Sequence, residues 1–228
     1  MIIIGIILLA IFILIVLRIR NKKLLETVTK SHRGTKTERQ LVLKLLKAGF
    51  PSITIFHDLY VKNKDGNYSQ IDLVLATKVG IIVFEVKKYS GWIFGNGNHS
   101  KWTQVLAYGK QKYYFYNPIF QNKKHIQNLK TTLTEFENIP FFSVVVFFGD
   151  CEFRDVSFIP NGSFLTKSSR AIHVVKKIIK DHETVNYKNK RDIVNVLSKA
   201  VENGDNHEIS EKHVQTIKDM LGEDRIFH

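Results

Sequence analysis

Two carboxylates and a lysine stand in segments that are otherwise apolar. Asp72 lies in QIDLVLAT (70–77), and Glu85 and Lys87 lie in GIIVFEVKK (80–88). Side chains alternate between faces along a strand, so Glu85 and Lys87 point to the same side. A strand with one solvated face, on which the two residues pair, explains this pattern. An active site at the end of a buried strand explains it equally well.

The short link between the two segments predicts which residues face each other. If Lys78 and Val79 form a two-residue hairpin loop, Asp72 lies directly opposite Glu85. A bulge at Gly80 would shift this register by one residue. Like charges in direct opposition are unfavourable in a sheet, so two carboxylates placed this way need a proton, a base or a metal ion between them.

Carboxylates from two adjacent strands favour a hard cation with oxygen ligands. Mg²⁺ or Mn²⁺ fits, because such ions use one or two carboxylates and keep positions for water and phosphate oxygens. Asp72 and Glu85 are therefore the predicted metal ligands. Lys87 would orient or deprotonate an attacking water and stabilise charge on phosphorus, which is the chemistry of phosphodiester hydrolysis.

Glu38 is a third candidate carboxylate with two explanations that can coexist. Thr35 and Glu38 have the spacing of a capping box, in which the glutamate only completes the start of a helix. Glu38 also precedes Leu41, Val42 and Leu45 by three, four and seven residues, which places it on the apolar stripe of that helix. An inward-facing Glu38 would complete an acidic site.

The order of periodic segments predicts an α/β core. Leu41 to Leu46 form a helical stripe that ends near Gly49, and the continuous apolar run 141–149 is typical of a strand covered on both faces. The predicted elements are a helix near 35–49, strands at 52–61, 70–77, 80–88 and 141–149, helices at 102–116 and 121–136, and three C-terminal helices near 169–180, 189–202 and 210–221.

The N-terminus predicts a membrane anchor. Residues 1–17 are uncharged and almost wholly aliphatic, and the basic residues follow them directly, which disfavours a cleaved signal peptide. The positive-inside rule then places the N-terminus outside and the remainder in the cytoplasm. The predicted organisation is an anchor at 1–17, a basic juxtamembrane linker (or a continuation of the helix) at 18–33, a globular domain at 34–150 and a helical extension at 151–228.

The net charge of +13 comes from two segments. Seven basic residues and one acidic residue between 18 and 36 flank the anchor, and residues 86–130 hold eight lysines and no acid. Aromatic residues alternate with these lysines, a composition that suits phosphate contacts and base stacking. The predicted nucleic-acid contacts are Lys88, Lys101, Gln104, Lys110, Lys112, Gln121, Lys123 and Lys124. Gln121 and His125 share a helical face and could reach a phosphate or a water on the metal; His57, His99 and His173 show no metal spacing.

Several motifs together resemble the nuclease-related domain (NERD) family. They are GTKTE at the start of a helix, QIDLVL, GIIVFEVKKYSG, WTQ and NPIFQNKKHI, in this order over residues 34–150. The resemblance implies a restriction-endonuclease-like αβββαβ core of the PD-(D/E)XK superfamily. It also implies that Asp72 and Glu85 are the acids of the motif, that Lys87 is its lysine, and that Glu38 is the acid of the leading helix.

These observations predict a membrane-anchored, Mg²⁺-dependent nuclease whose expected substrate is DNA. The alternative is a non-catalytic nucleic-acid-binding or tethering module with the same fold. A third hypothesis is a domain that binds anionic lipid through its lysines. The single cysteine, Cys151, excludes an intramolecular disulfide and a multi-cysteine zinc site, and GNGNHSK lacks the spacing of a nucleotide-triphosphate loop.

Overall fold

The N-terminal apolar segment forms one long helix in the computed structural model, which describes residues 2–134, 138–187 and 189–221, with side chains as far as residue 215. Helix α1 (Ile2–Glu26) contains an 18-residue stretch with a mean hydropathy of 3.3, and no part of that stretch is buried. The helix is long and apolar enough to cross a membrane, a test that a signal sequence near an N-terminus also passes. It continues beyond residue 17, so the predicted linker begins as helix.

The globular part is built on a five-stranded mixed sheet. Its strands lie in the order β1-β2-β3-β7-β9, where β1 to β3 are antiparallel and β7 and β9 run parallel to β3. The bounds of these strands are β1 Ile55–Lys62, β2 Tyr68–Thr77, β3 Gly80–Lys88, β7 Phe141–Phe148 and β9 Ser163–Lys167. The predicted strands at 70–77, 80–88 and 141–149 are confirmed almost to the residue, and the predicted strand at 52–61 begins three residues later than expected.

Helices cover both faces of this sheet, which is why the apolar residues of β3 and β7 run on without alternating with polar ones. Helices α2 (Lys36–Lys47) and α4 (Ala171–Asp181) pack on one face and bury Leu73, Phe84 and Val144. Helices α3 (Pro118–Thr132) and α5 (Lys190–Asn203) pack on the other face and bury Val74 and Val83. A sheet covered on both faces buries side chains of either parity, so its strands lack an alternating pattern.

A second, four-stranded sheet follows β3, and it corrects one prediction. Residues 102–116 form strands rather than the expected helix: the order is β6-β5-β4-β8, with β4 Gly91–Asn96, β5 Lys101–Leu106, β6 Gln111–Tyr116 and β8 Cys151–Ser157. Trp102 and Phe115 are cross-strand partners that point into a small core with Phe147 of the first sheet. This tertiary packing decides the conformation, and the β propensity of YYFY agrees with it.

The C-terminal region is helical only in part. Two strands, β8 and β9, follow residue 150 and extend both sheets before the three expected helices begin at α4, α5 and α6 (His207–Leu221). The prediction of a helical extension over 151–228 is therefore incomplete. β9 has only five residues, and among the described residues its one pairing partner is β7. So short a segment carries little periodicity from which a strand could be predicted.

Candidate active site

In strands β1 and β2 the alternation of side chains between the two faces of the sheet is interrupted next to the acidic side chains. In a regular strand residues two apart share a face, yet Leu73 packs under α2 whereas Ile71 packs in the opposite cluster. On β1, Ile55 and Leu59 are divided between the clusters in the same way, and Asp58 between them has a φ of +57°. This local reversal lets Asp72 lie close to carboxylates from both sides of the sheet.

Asp72 lies where the pairing of β2 with β3 ends. The ladder runs from Thr77 opposite Gly80 to Leu73 opposite Phe84, which is the register of a two-residue hairpin loop. Beyond it, the Val86 N–H donates to Asp72 Oδ2 at 2.7 Å. Among the described residues no hydrogen bond reaches Asp72 Oδ1. Burial, and then the charges of nearby carboxylates, raise the pKa of Asp72 well above its ordinary value.

Glu85 is almost fully buried, with 1% of its surface exposed, and two side chains contact its carboxylate. Lys87 Nζ lies 2.6 Å from Oε1, and His125 Nε2 on α3 lies 3.2 Å from Oε2. Burial by itself would raise the pKa of Glu85, but the contacts with His125 and Lys87 outweigh it, so this pKa is lowered. Of the two neighbouring carboxyl groups, Glu85 is therefore the one that stays ionised, whereas Asp72 takes up a proton more readily.

Lys87 is held as a cation. Its ammonium group also donates to Gln121 Oε1 on α3, at 3.0 Å. Burial would lower the pKa of Lys87, but the charge and hydrogen bond of Glu85, together with the charge of Asp72, leave this pKa raised. A lysine that keeps its proton does not act as a base. Of the two predicted roles, the arrangement therefore favours orienting a water and stabilising negative charge.

Glu38 both caps the start of α2 and faces inward, so the two explanations of its position coexist. The Glu38 N–H donates to Thr35 Oγ1, and the Thr35 hydroxyl donates to Glu38 Oε1 at 2.5 Å. The side chain is nevertheless buried and faces inward, with Oε2 3.4 Å from His57 Nε2. Burial would raise the pKa of Glu38, but His57 and Thr35 lower it overall. Glu38 thus caps the helix and contributes negative charge near Asp72.

Because Gly34 has no side chain, Glu38 and His57 can occupy the space beside its Cα atom. Its φ is +57°, and a Cβ placed there would lie 2.5 Å from Glu38 Oε2 and 2.6 Å from the His57 ring. A glycine is required at this position both by the left-handed backbone and by this close approach. The sequence motif GTKTE therefore begins with a residue that shapes the acidic cluster.

Two histidines have positions that the sequence did not reveal. His57, expected to be an ordinary residue, joins Glu38 to Thr29, whose Oγ1 lies 2.7 Å from His57 Nδ1. His125 and Gln121, which the sequence suggested could reach a phosphate or a water, contact Glu85 and Lys87 in this structure. Contacts between residues far apart in the chain leave no local pattern, and only the i,i+4 spacing of Gln121 and His125 hinted at them.

The side chains available for a hard cation are oxygen donors, which is the ligand type that such an ion prefers. The described residues include no group of three or more His, Cys, Asp or Glu side chains arranged to hold a metal ion. Asp72 and Glu85 remain as two oxygen donors on neighbouring strands, and Asp72 Oδ1 is free of hydrogen bonds among the described residues. After burial, the charges of Glu85 and Glu38 contribute to the raised pKa of Asp72, and a divalent cation bound there would offset them.

The predicted nucleic-acid contacts divide into two groups. Gln121 and Gln104 use their side chains within the protein, since Gln104 Nε2 donates to the carbonyl of Ser90 at 2.8 Å. The six lysines of that set are all exposed, at the end of β3, on the second sheet and its turns, and on α3: Lys88, Lys101, Lys110, Lys112, Lys123 and Lys124.

The basic segment at 18–33 is less available to an anionic ligand than its composition suggests. Arg33 is buried, with its Nε 2.7 Å from Asp58 Oδ2 and a second contact with Asp205 at 2.9 Å. Burial would lower the pKa of Arg33, but Asp58 and Asp205 raise it overall. Arg33 therefore ties the segment after α1 to β1 and to the end of α5, whereas the basic residues within α1 stay exposed.

Comparison with known proteins agrees with the motifs described above. The model of the nuclease-related domain matches residues 33–148, about half of the chain. An uncharacterized protein of Bacillus anthracis is 30% identical over 137 residues, which cover 58% of this chain and 63% of the relative, less than two thirds of its length. No solved structure matches the chain. On the strength of the family match, this chain belongs to the nuclease-related domain family.

Proposed function

We propose that this protein is a membrane-anchored, metal-dependent nuclease that hydrolyses phosphodiester bonds of DNA. The observation that carries the proposal is the convergence of Asp72, Glu85 and Lys87 at the end of the β2–β3 ladder. A buried cluster of like charges is unfavourable for folding and is typical of functional sites. The family match agrees with a nuclease-related role.

The side chains have distinct tasks in this proposal. Mg²⁺ or Mn²⁺ held by Asp72 and Glu85 would supply positive charge beside the scissile phosphate. Lys87, kept protonated by Glu85 and anchored by Gln121, orients the attacking water through its N–H groups and stabilises charge on phosphorus. His125 fixes the Glu85 carboxylate from the side of α3.

The anchor determines where the reaction takes place. In this proposal α1 spans the membrane, its exposed basic residues lie at the cytoplasmic surface, and the nuclease domain lies in the cytoplasm. Arg33 and Thr29 then place the domain directly against the end of the helix, through Asp58 and His57. The exposed lysines of β3, the second sheet and α3 contact phosphates.

One observation favours a second candidate, a non-catalytic nucleic-acid-binding or tethering module. Both oxygens of Glu85 already have positively charged or ionisable neighbours in Lys87 and His125, and the residue is 1% exposed. An internal ion pair of this kind can satisfy a buried carboxylate without any metal. In such a module the exposed lysines would bind nucleic acid and the acidic cluster would be structural.

The two candidates are separated by a cleavage assay on the full chain in detergent. Circular and linear DNA, and RNA, are incubated with Mg²⁺, Mn²⁺ or EDTA, beside Asp72→Ala and Lys87→Ala. The matched controls are Lys62→Ala and Glu183→Ala, which remove exposed charges away from the site. The nuclease predicts metal-dependent cleavage that both site variants lose and both controls keep. Binding by all five proteins without cleavage of any substrate would establish the tethering module instead.

A further inference from the structure

The second sheet has an exposed face that its own packing does not explain. Side chains alternate along β5 and β6, and Trp102 and Phe115 point inward against Phe147. The opposite parity gives an outward set that includes Val105 on β5, which is buried, and an exposed part here called the tyrosine face: Lys101 and Thr103 on β5, and Lys112, Tyr114 and Tyr116 on β6. In the register, Tyr116 is paired with Lys101 and Tyr114 with Thr103.

The two tyrosines of this face are available to a ligand. Tyr114 is 70% exposed and Tyr116 is 53% exposed, and within the described residues neither hydroxyl forms a hydrogen bond. Residues two apart on one strand lie about 7 Å from each other, so the two rings form a short row. Among the residues that the structure describes, only β5 pairs with β6, so β6 is an edge strand and the row lies at the border of the sheet.

Charge around the tyrosine face is one-sided. Residues 86–130, which include β4, β5 and β6, contain eight lysines and no acid. The acidic side chains of this sheet lie at its other edge, on β8, where Glu152 pairs with Arg154 at 3.3 Å. An anionic ligand is therefore favoured along β5 and β6, and Lys101 and Lys112 flank the tyrosines on that side.

The second sheet is attached next to the acidic cluster. Only two residues separate the end of β3 from the start of β4, and the Gln104 side chain donates a hydrogen bond to the carbonyl of Ser90 in that link. The inner aromatic residues pack on Phe147, which is the register neighbour of Lys87 on β7. A polymer bound on the second sheet is thus held by an element that is joined directly to the strand carrying Glu85 and Lys87.

We propose that the tyrosine face binds single-stranded DNA, with unpaired bases stacked on Tyr114 and Tyr116 and phosphates against Lys101 and Lys112. Bases expose their flat faces to stacking only when they are unpaired, whereas a duplex offers phosphates alone to such a surface. The inference rests on the proposed function, because it names an unpaired strand as the form of DNA that the nuclease holds.

The test measures binding without cleavage. The full chain in detergent is titrated, in EDTA, into a fluorescent thymidine oligonucleotide and into a duplex of equal length, and anisotropy gives each Kd. Stacking on an aromatic side chain predicts about tenfold weaker single-strand binding for each tyrosine replaced by alanine, and about a hundredfold for Tyr114→Ala/Tyr116→Ala. The Kd for the duplex should change by less than about threefold in the same variants. Replacement of both tyrosines by phenylalanine keeps the rings and should keep the affinity.

The chain offers a matched control in Tyr113→Ala. Tyr113 lies in the same strand, is 51% exposed and points to the opposite face, so its loss should leave single-strand binding unchanged. Equal single-strand affinity in wild type and the double alanine variant, with the fold intact by circular dichroism, would overturn the proposal. A second result would also overturn the proposal: a wild-type dimer that the Tyr114→Ala/Tyr116→Ala substitutions dissociate. The β6 edge would then be an interface between two copies of the chain and not a surface for DNA. Absence of cleavage by wild type in Mg²⁺ would count against the nuclease alone, since binding is measured in EDTA.

Discussion

The ion pair between Lys87 and Glu85 should make the lysine important for stability, in addition to its proposed role in cleavage. Its ammonium lies 2.6 Å from a carboxylate that is 1% exposed, and the lysine side chain itself is 20% exposed. Lys87→Ala would leave the Glu85 charge buried with only His125, 3.2 Å away, to offset it. Lys87→Ala is therefore expected to lose stability as well as cleavage.

The size of this loss follows from the burial of the two partners. Removal of one partner of a buried ion pair costs about 3–5 kcal/mol, and the lower end applies because Lys87 is partly solvated and His125 remains. For a chain of this size, about 3 kcal/mol corresponds to a fall in Tm of roughly 6–12 °C. The exposed neighbour Lys88 is the matched control, and Lys88→Ala should change the free energy of unfolding by less than about 0.5 kcal/mol.

The assay is denaturant unfolding of the full chain in detergent, followed by tryptophan fluorescence. A double-mutant cycle with Glu85→Gln isolates the pair, and Glu85→Gln/Lys87→Ala should regain most of the stability that Lys87→Ala loses. In the folded wild type the pKa of Glu85 is lowered from its ordinary value of 4.5. The ionised Glu85 side chain therefore stabilises the fold above pH 4.5, and this contribution is lost as the pH falls through the pKa of the folded state. The difference between wild type and Lys87→Ala should therefore be largest near pH 7 and shrink below pH 4.5. A lysine variant as stable as wild type at pH 7, or a double variant no more stable than Lys87→Ala, would refute this reasoning.

Two further substitutions probe the acidic cluster. Asp72→Asn should raise the free energy of unfolding in EDTA by about 1–2 kcal/mol at pH 7.5, because the raised pKa of Asp72 means that its ionised form destabilises the fold. This gain should fade as the pH falls through the raised pKa of the folded state and be gone below 3.8, where the carboxyl of the unfolded chain is protonated as well, and a gain independent of pH would contradict it. Gly34→Ala should lower the free energy of unfolding by about 1–3 kcal/mol, since it strains a left-handed residue and crowds Glu38 and His57. Thermal unfolding measures the effect of both substitutions. A Gly34→Ala variant as stable as wild type would exclude the close approach of residue 34 to Glu38 and His57.

Local signals in the sequence were sufficient for the centre of the first sheet. The link TKVG is so short that one hairpin register is strongly favoured, and that register brings Asp72 next to Glu85. The apolar runs of β3 and β7 likewise indicate strands covered on both faces. Glu38 was found through helical periodicity, because Leu41 and Leu45 define the buried side of α2.

Features that depend on distant contacts were missed. Strands β5 and β6 were predicted as helix because their polar residues hide the alternation of Trp102 and Phe115, which becomes meaningful only when Phe147 packs beneath them. His57 looked ordinary because its partners, Thr29 and Glu38, are 28 and 19 residues away in the sequence. The reversal of β1 at Asp58 has no signature in residue type, since aspartate tolerates a positive φ without requiring it.

The central claim is tested most directly by the initial rate of DNA cleavage by the full chain as Mg²⁺ is titrated, for wild type and Asp72→Asn side by side. The account predicts a saturable rise of the wild-type rate with Mg²⁺, no cleavage in EDTA, and a rate at least about a hundredfold lower for the variant, although that variant is the more stable protein. Equal rates for the two proteins, or cleavage that does not depend on the metal, would contradict the assignment of Asp72 and Glu85 as the metal-binding carboxylates of a nuclease.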